Sequence, residues 1–72
     1  MFTTKTVLIN EQTNEVFSQG EDVKIGLDNG TVLVCYIEEV DANYDYVQIG
    51  APFLEDNIRI DTSDIVSVIK NK

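Results

Sequence analysis

Asp41, Asn43 and Asp45 stand at alternate positions of the stretch Asp41-Ala42-Asn43-Tyr44-Asp45, the spacing at which a calcium-binding loop presents its first three oxygen ligands. The remainder of such a loop is missing. Its sixth position, which needs glycine for a sharp turn, is Tyr46, and its twelfth, which needs a bidentate glutamate, is Pro52. Asp and Asn at this density read instead as a turn, because their short side chains bond backbone amides a few residues ahead. Glu38 and Glu39 add carboxylates just upstream, but successive residues of a strand face opposite ways, so with Asp41 they read as a solvated edge. No metal site is assigned.

Catalysis has no carrier in this chain. There is no histidine, and Cys35, the single cysteine, lies between Val34 and Tyr36 with no base to activate it, so it reads as a buried structural thiol. One cysteine also excludes an internal disulfide, and without histidine or a second cysteine a structural zinc site is excluded. No glycine-rich phosphate loop and no nicotinamide or flavin fingerprint is present, so no cofactor and no enzymatic activity are expected.

The remaining side chains fit for recognition are aromatic and acidic. Tyr36, Tyr44, Tyr46 and Phe53 are suited to anchoring an interface, since they bury much area at little rotamer cost. Beside Glu38, Glu39 and Asp45 they form a candidate partner patch; packing of Tyr44 and Tyr46 against Phe53 is the plain structural alternative. Thirteen acidic residues against five basic ones give a net charge of −8, spread along the 72 residues. That balance serves solubility, or it makes an acidic face that docks on a basic partner surface, including one that otherwise holds nucleic acid. Direct nucleic-acid binding is disfavoured, because phosphate neutralisation needs Lys and Arg, and only Lys5, Lys24, Arg59, Lys70 and Lys72 are available. The apolar run Val7-Leu8-Ile9 is too short for a signal peptide or a membrane span, so a cytoplasmic setting is expected.

The elements that must position these residues centre on residues 23–40. Val23, Ile25 and Leu27 alternate with Lys24, Gly26 and Asp28, a period of two that makes a half-buried strand. Asp28-Asn29-Gly30 follows as a tight turn, read as a two-residue hairpin with positive φ at Asn and Gly. From Thr31 onward the chain is apolar on both sides: Leu33, Cys35 and Ile37 point one way, Val32, Val34 and Tyr36 the other. This strand should be covered on both faces, either by Val7, Ile9 and Phe17 or by a second subunit. Upstream, residues 6–9 and 15–17 read as a hairpin around Asn10-Glu11-Gln12-Thr13-Asn14, with Ser18-Gln19-Gly20-Glu21-Asp22 as connector. Downstream, residues 44–49 form a strand carrying Tyr44, Tyr46 and Gln48 on one face, broken by Gly50-Ala51-Pro52. Phe53-Leu54-Glu55-Asp56 is a loop or a single helical turn, and residues 57–60 form a short strand. Asp61-Thr62-Ser63-Asp64 is a 3₁₀ turn in which Asp61 or Thr62 caps the amide ahead. Residues 65–69 close the fold, and Lys70-Asn71-Lys72 is a solvated tail. The sum is one all-β domain of about five to seven short antiparallel strands, the pattern of a small barrel or sandwich.

The register of Val23, Ile25, Leu27, Asn29-Gly30, Leu33, Ile37, Val40 and Asp41 resembles the first motif of the Sm-like proteins, and residues 58–69 resemble the second. That resemblance implies a small SH3-like barrel of the Sm type and an oligomeric ring that binds RNA. The departures are Cys35 in place of the bent strand's glycine, Asp45 at the position of an RNA-contacting Asn, and Asp61-Thr62 in place of an Arg-Gly pair. Two carboxylates where a phosphate-bearing ligand should sit would repel it. Leu27-Asp28-Asn29-Gly30, with residues 60–68, is similar to the Rho-binding antiterminator proteins, a resemblance that implies binding of a protein, the termination factor Rho, in place of RNA. The expected function is therefore a non-enzymatic acidic module that binds a protein with a basic surface. An RNA-binding ring and a homo-oligomeric structural protein of a phage or mobile element are the alternatives.

Overall fold

In the computed structural model, which describes residues 1–71, the alternating stretches form eight strands and one 3₁₀ turn. In chain order they are β1 (Phe2–Thr4), β2 (Leu8–Asn10), β3 (Glu15–Phe17), β4 (Asp22–Leu27), β5 (Val32–Asp41), β6 (Tyr46–Gly50), β7 (Ile58–Asp61), the 3₁₀ turn (Thr62–Asp64) and β8 (Ile65–Lys70). All pairings are antiparallel, within a three-stranded sheet β1-β2-β3 and a five-stranded sheet β7-β6-β5-β4-β8. The last strand thus returns beside β4, the first strand of the large sheet, with the 3₁₀ turn before it as the sequence implies.

Phe2–Thr4 adds a strand to the expected N-terminal hairpin, which accounts for eight strands where five to seven were expected. Thr4 pairs with Leu8 and Leu8 with Phe17, so one row of the small sheet turns inward; Leu8 and Phe17 are fully buried. They join Val23, Ile25, Cys35, Ile37, Val47, Ile49, Ile60, Ile65 and Val68 in one core between the sheets. Burying seven large side chains completely is the main stabilising term available to a chain of this size.

The chain itself covers only one face of β5, so the intramolecular cover expected for the other face is not made. Its inner face, Cys35 and Ile37, is buried, whereas Val32 and Val34 on the other face are 62% and 48% exposed. Of the residues expected to lie over that face, Phe17 is fully buried in the core instead, because the small sheet packs on the inner side of the large one. The central turn also differs. The Leu27 amide donates to Thr31 O at 2.8 Å and the Gly30 amide to Leu27 O at 3.0 Å, so residues 28–30 form a three-residue loop. Only Gly30, at φ +89°, takes the left-handed conformation there, and the Asn29 side chain accepts from the Thr31 amide at 2.9 Å. No helical turn forms at residues 53–56; Leu54 donates to Ala51 O at 3.0 Å and packs on the core. Lys70 belongs to β8 rather than to a tail, and Asn71 extends the β4–β8 ladder by donating to Asp22 O at 2.9 Å; Lys72 lies outside the described residues. No helix among the described residues is long and apolar enough to cross a membrane.

Candidate functional site

Two irregularities decide which side chains meet on the outer face of the large sheet. A bulge in β5 between Ile37 and Glu39 inserts Glu38 opposite nothing on β6, so the inward-outward alternation is reset. Beyond it Glu39 pairs with Gln48, which pairs with Arg59, and Asp41 pairs with Tyr46, which pairs with Asp61. Because cross-strand partners share a face, Glu39, Asp41 and Asp61 surround Tyr46 and Gln48, with Arg59 as the one cation. The Arg59 guanidinium lies 4.1 Å from the centre of the Tyr46 ring and its Nε donates to Asp61 at 3.2 Å. Arg59 is thereby engaged from both sides, and the face keeps an excess of carboxylate. Local desolvation, then the neighbouring Asp41 and Glu39 carboxylates, push the Tyr46 phenol above its ordinary value, with Arg59 opposing.

The sequence-derived patch is only partly assembled here. Tyr46 and Glu39 share the acidic face; Glu38 sits in the bulge, half-buried. Tyr44 is 72% exposed but is not on a strand with Tyr46, since β6 starts at Tyr46. It belongs to the turn of residues 42–45, where Asp41 Oδ1 accepts from the amides of Asn43 at 2.8 Å and Tyr44 at 3.0 Å. The Asp41-x-Asn43-x-Asp45 spacing therefore builds an Asx turn. Phe53, 63% exposed, lies in the separate β6–β7 connection and does not bury the tyrosines. Tyr36 falls on the other side of the bulge, its ring laid across Gly50, its partner on β6. A Cβ at Gly50 would land on that ring and 2.8 Å from Asn57 Oδ1.

Asp45 is removed from the patch for a different reason. Its carboxylate is already engaged: Thr4 donates its amide at 3.1 Å and its hydroxyl at 2.7 Å to Oδ1, and Thr62 donates its hydroxyl at 2.7 Å to Oδ2. The Thr62 amide also donates to Asp45 O at 3.1 Å. One residue thus ties β1 of the small sheet to the 3₁₀ turn of the large one. Among the described residues Thr4 and Thr62 are the two buried polar ones, and Asp45 satisfies both hydroxyls. These bonds to the charged form hold the Asp45 carboxyl below its ordinary value. The expected cap at the 3₁₀ turn is accordingly not made: Asp61 forms no capping bond, and Thr62 faces Asp45.

Cys35 is buried as expected, 3.8 Å from Leu33 O, and desolvation raises its thiol to about 11. Asp41, Asp61 and Arg59 were missing from the sequence-derived patch because membership depends on strand register, which local spacing does not reveal. Against protein-family models, curated proteins and solved structures the chain finds no match, so its candidate site rests on its own geometry: a Tyr46-centred carboxylate face on a three-strand platform.

Proposed function

We propose that this chain is a non-enzymatic acidic module that binds a protein carrying a basic surface, through the face built by Glu39, Asp41, Tyr46, Gln48 and Asp61. The observation that carries the reading is the register Asp41–Tyr46–Asp61 beside Glu39–Gln48–Arg59. It sets three carboxylates around an aromatic ring on rigid strands, while the lone guanidinium is occupied by Asp61 and the ring. Such a surface attracts Lys and Arg side chains electrostatically, and Tyr46 offers a flat apolar contact for their methylene stems. A chain with net charge −8 adds a long-range field of the same sign, which steers a basic partner and repels phosphate. The basic surface of a nucleic-acid-handling protein is the target class that fits.

The test compares proteins retained from a lysate by the wild-type chain and by Glu39→Lys and Tyr46→Ala variants, at about 50 mM and about 500 mM salt. The reading expects a basic protein that is retained at low salt, released at high salt and lost with both variants. Retention that is equal for wild type and variants, or no retention of a basic protein, refutes it.

A further inference from the structure

The other half of the same outer face has a different character. On β5, β4 and β8 the rows run Val34–Lys24–Ile69 and Val32–Gly26–Ser67, and Tyr36 pairs with Asp22. A bulge in β8 opposite Gly26 and Leu27 places Val66 and Ser67 together on the outside, leaning over Gly26; a Cβ on that glycine would lie 2.5 Å from Ser67 Oγ. Val32, Val66 and Ile69 are 62%, 61% and 56% exposed. Val34 and Tyr36 share this face, so exposed apolar side chains from β5 and β8 flank Lys24 and Gly26, the kind of surface that marks an interface.

We propose that this face packs against the same face of a second copy of the chain, in a two-fold sheet-on-sheet contact. The charge distribution selects this occupant. In a chain of net charge −8, the rows around Gly26 carry one cation, Lys24, and one anion, Asp22, two residues apart on β4. Neither side chain enters an ion pair among the described residues. A two-fold axis that passes between the two positions would set Lys24 of each copy against Asp22 of the other, because an isologous contact that pairs residue i with j also pairs j with i. The charges of this area balance, so two acidic chains can meet there with each Asp22 facing a Lys24, whereas a basic partner gains more at the Glu39–Asp41–Asp61 half. The contact uses a different half of the sheet from the proposed partner face, so either proposal can fail alone.

The experiment is sedimentation equilibrium of the full chain across a concentration series, on the wild type, Val34→Lys, Lys24→Glu, Asp22→Lys and the double reversal Asp22→Lys/Lys24→Glu, with circular dichroism to verify the fold of each. A wild-type monomer–dimer equilibrium is expected. Val34→Lys and each single reversal should weaken it by about tenfold or more, and the double reversal should restore it. A wild-type chain that stays monomeric at millimolar concentration overturns the proposal. So does a dimer indifferent to Val34→Lys, or single reversals that the double reversal does not rescue.

Discussion

Replacing Asp45 should loosen the joint between the two sheets more than any other exposed substitution. Its carboxylate accepts two hydroxyls at 2.7 Å and one amide at 3.1 Å, and the hydroxyl donors belong to residues only 8% and 4% exposed. A hydrogen bond to a charged group contributes roughly 1.5–3 kcal/mol when dry, but water reaches this carboxylate, so each is discounted to roughly 1 kcal/mol. Asp45→Ala should then cost about 3 kcal/mol, out of the roughly 4–11 kcal/mol that a domain of this length possesses. In a thermal melt that is a fall in Tm of about 12–24 °C.

The backbone supplies a competing explanation, since Asp45 sits at φ +59°, where alanine is strained by about 1–2 kcal/mol. Asp45→Gly and Asp45→Asn separate the two. Glycine removes the φ penalty and the carboxylate together; asparagine tolerates the backbone and keeps one carbonyl acceptor. The expected order of stability by urea denaturation is wild type, then Asn, then Gly, with Ala last. A glycine variant as stable as wild type would refute the argument, because it would reduce Asp45 to a turn residue. The pH dependence gives a second check. A carboxyl lowered in the folded state stabilises the fold above its unfolded value of ~3.9 and loses that contribution as pH falls through the folded value. The stability gap between wild type and Asp45→Asn should be constant near neutrality and shrink below about pH 4.

Two further outcomes follow from the packing. Gly50→Ala should displace the Tyr36 ring and lower stability by about 1–2 kcal/mol in urea denaturation, and much of that cost should vanish in a Tyr36→Ala background, where only the Asn57 side chain still crowds the position. Cys35, with its thiol raised to about 11, should react with a disulfide reagent at pH 8 only at the rate at which the fold opens, since about one thiol in a thousand is ionised there; rapid labelling of the native chain would contradict its burial.

Much of the fold is written locally. The alternation of Val23, Ile25 and Leu27, the Asn29-Gly30 turn, the β-branched run of residues 65–69 and the turn-forming residues 61–64 each specify their element from nearest neighbours, because strand pleat and turn conformation are short-range steric properties. The burial of Cys35 and the acidic character of the surface were equally legible. The contents of each face were not. Glu38 drops out of the β5 ladder, Val66 is turned outward on β8, and Tyr36 and Glu39 are left on opposite sides of a bulge, all through register shifts that no short window of sequence contains. Asp45 shows the same limit: 41 residues separate it from Thr4, and its role exists only once the small sheet is laid against the 3₁₀ turn. The alternation of side chains is a property of the chain, whereas the pairing of strands is a contest among all the ladders it could form. Only the assembled core decides that contest, and with it which carboxylates stand free.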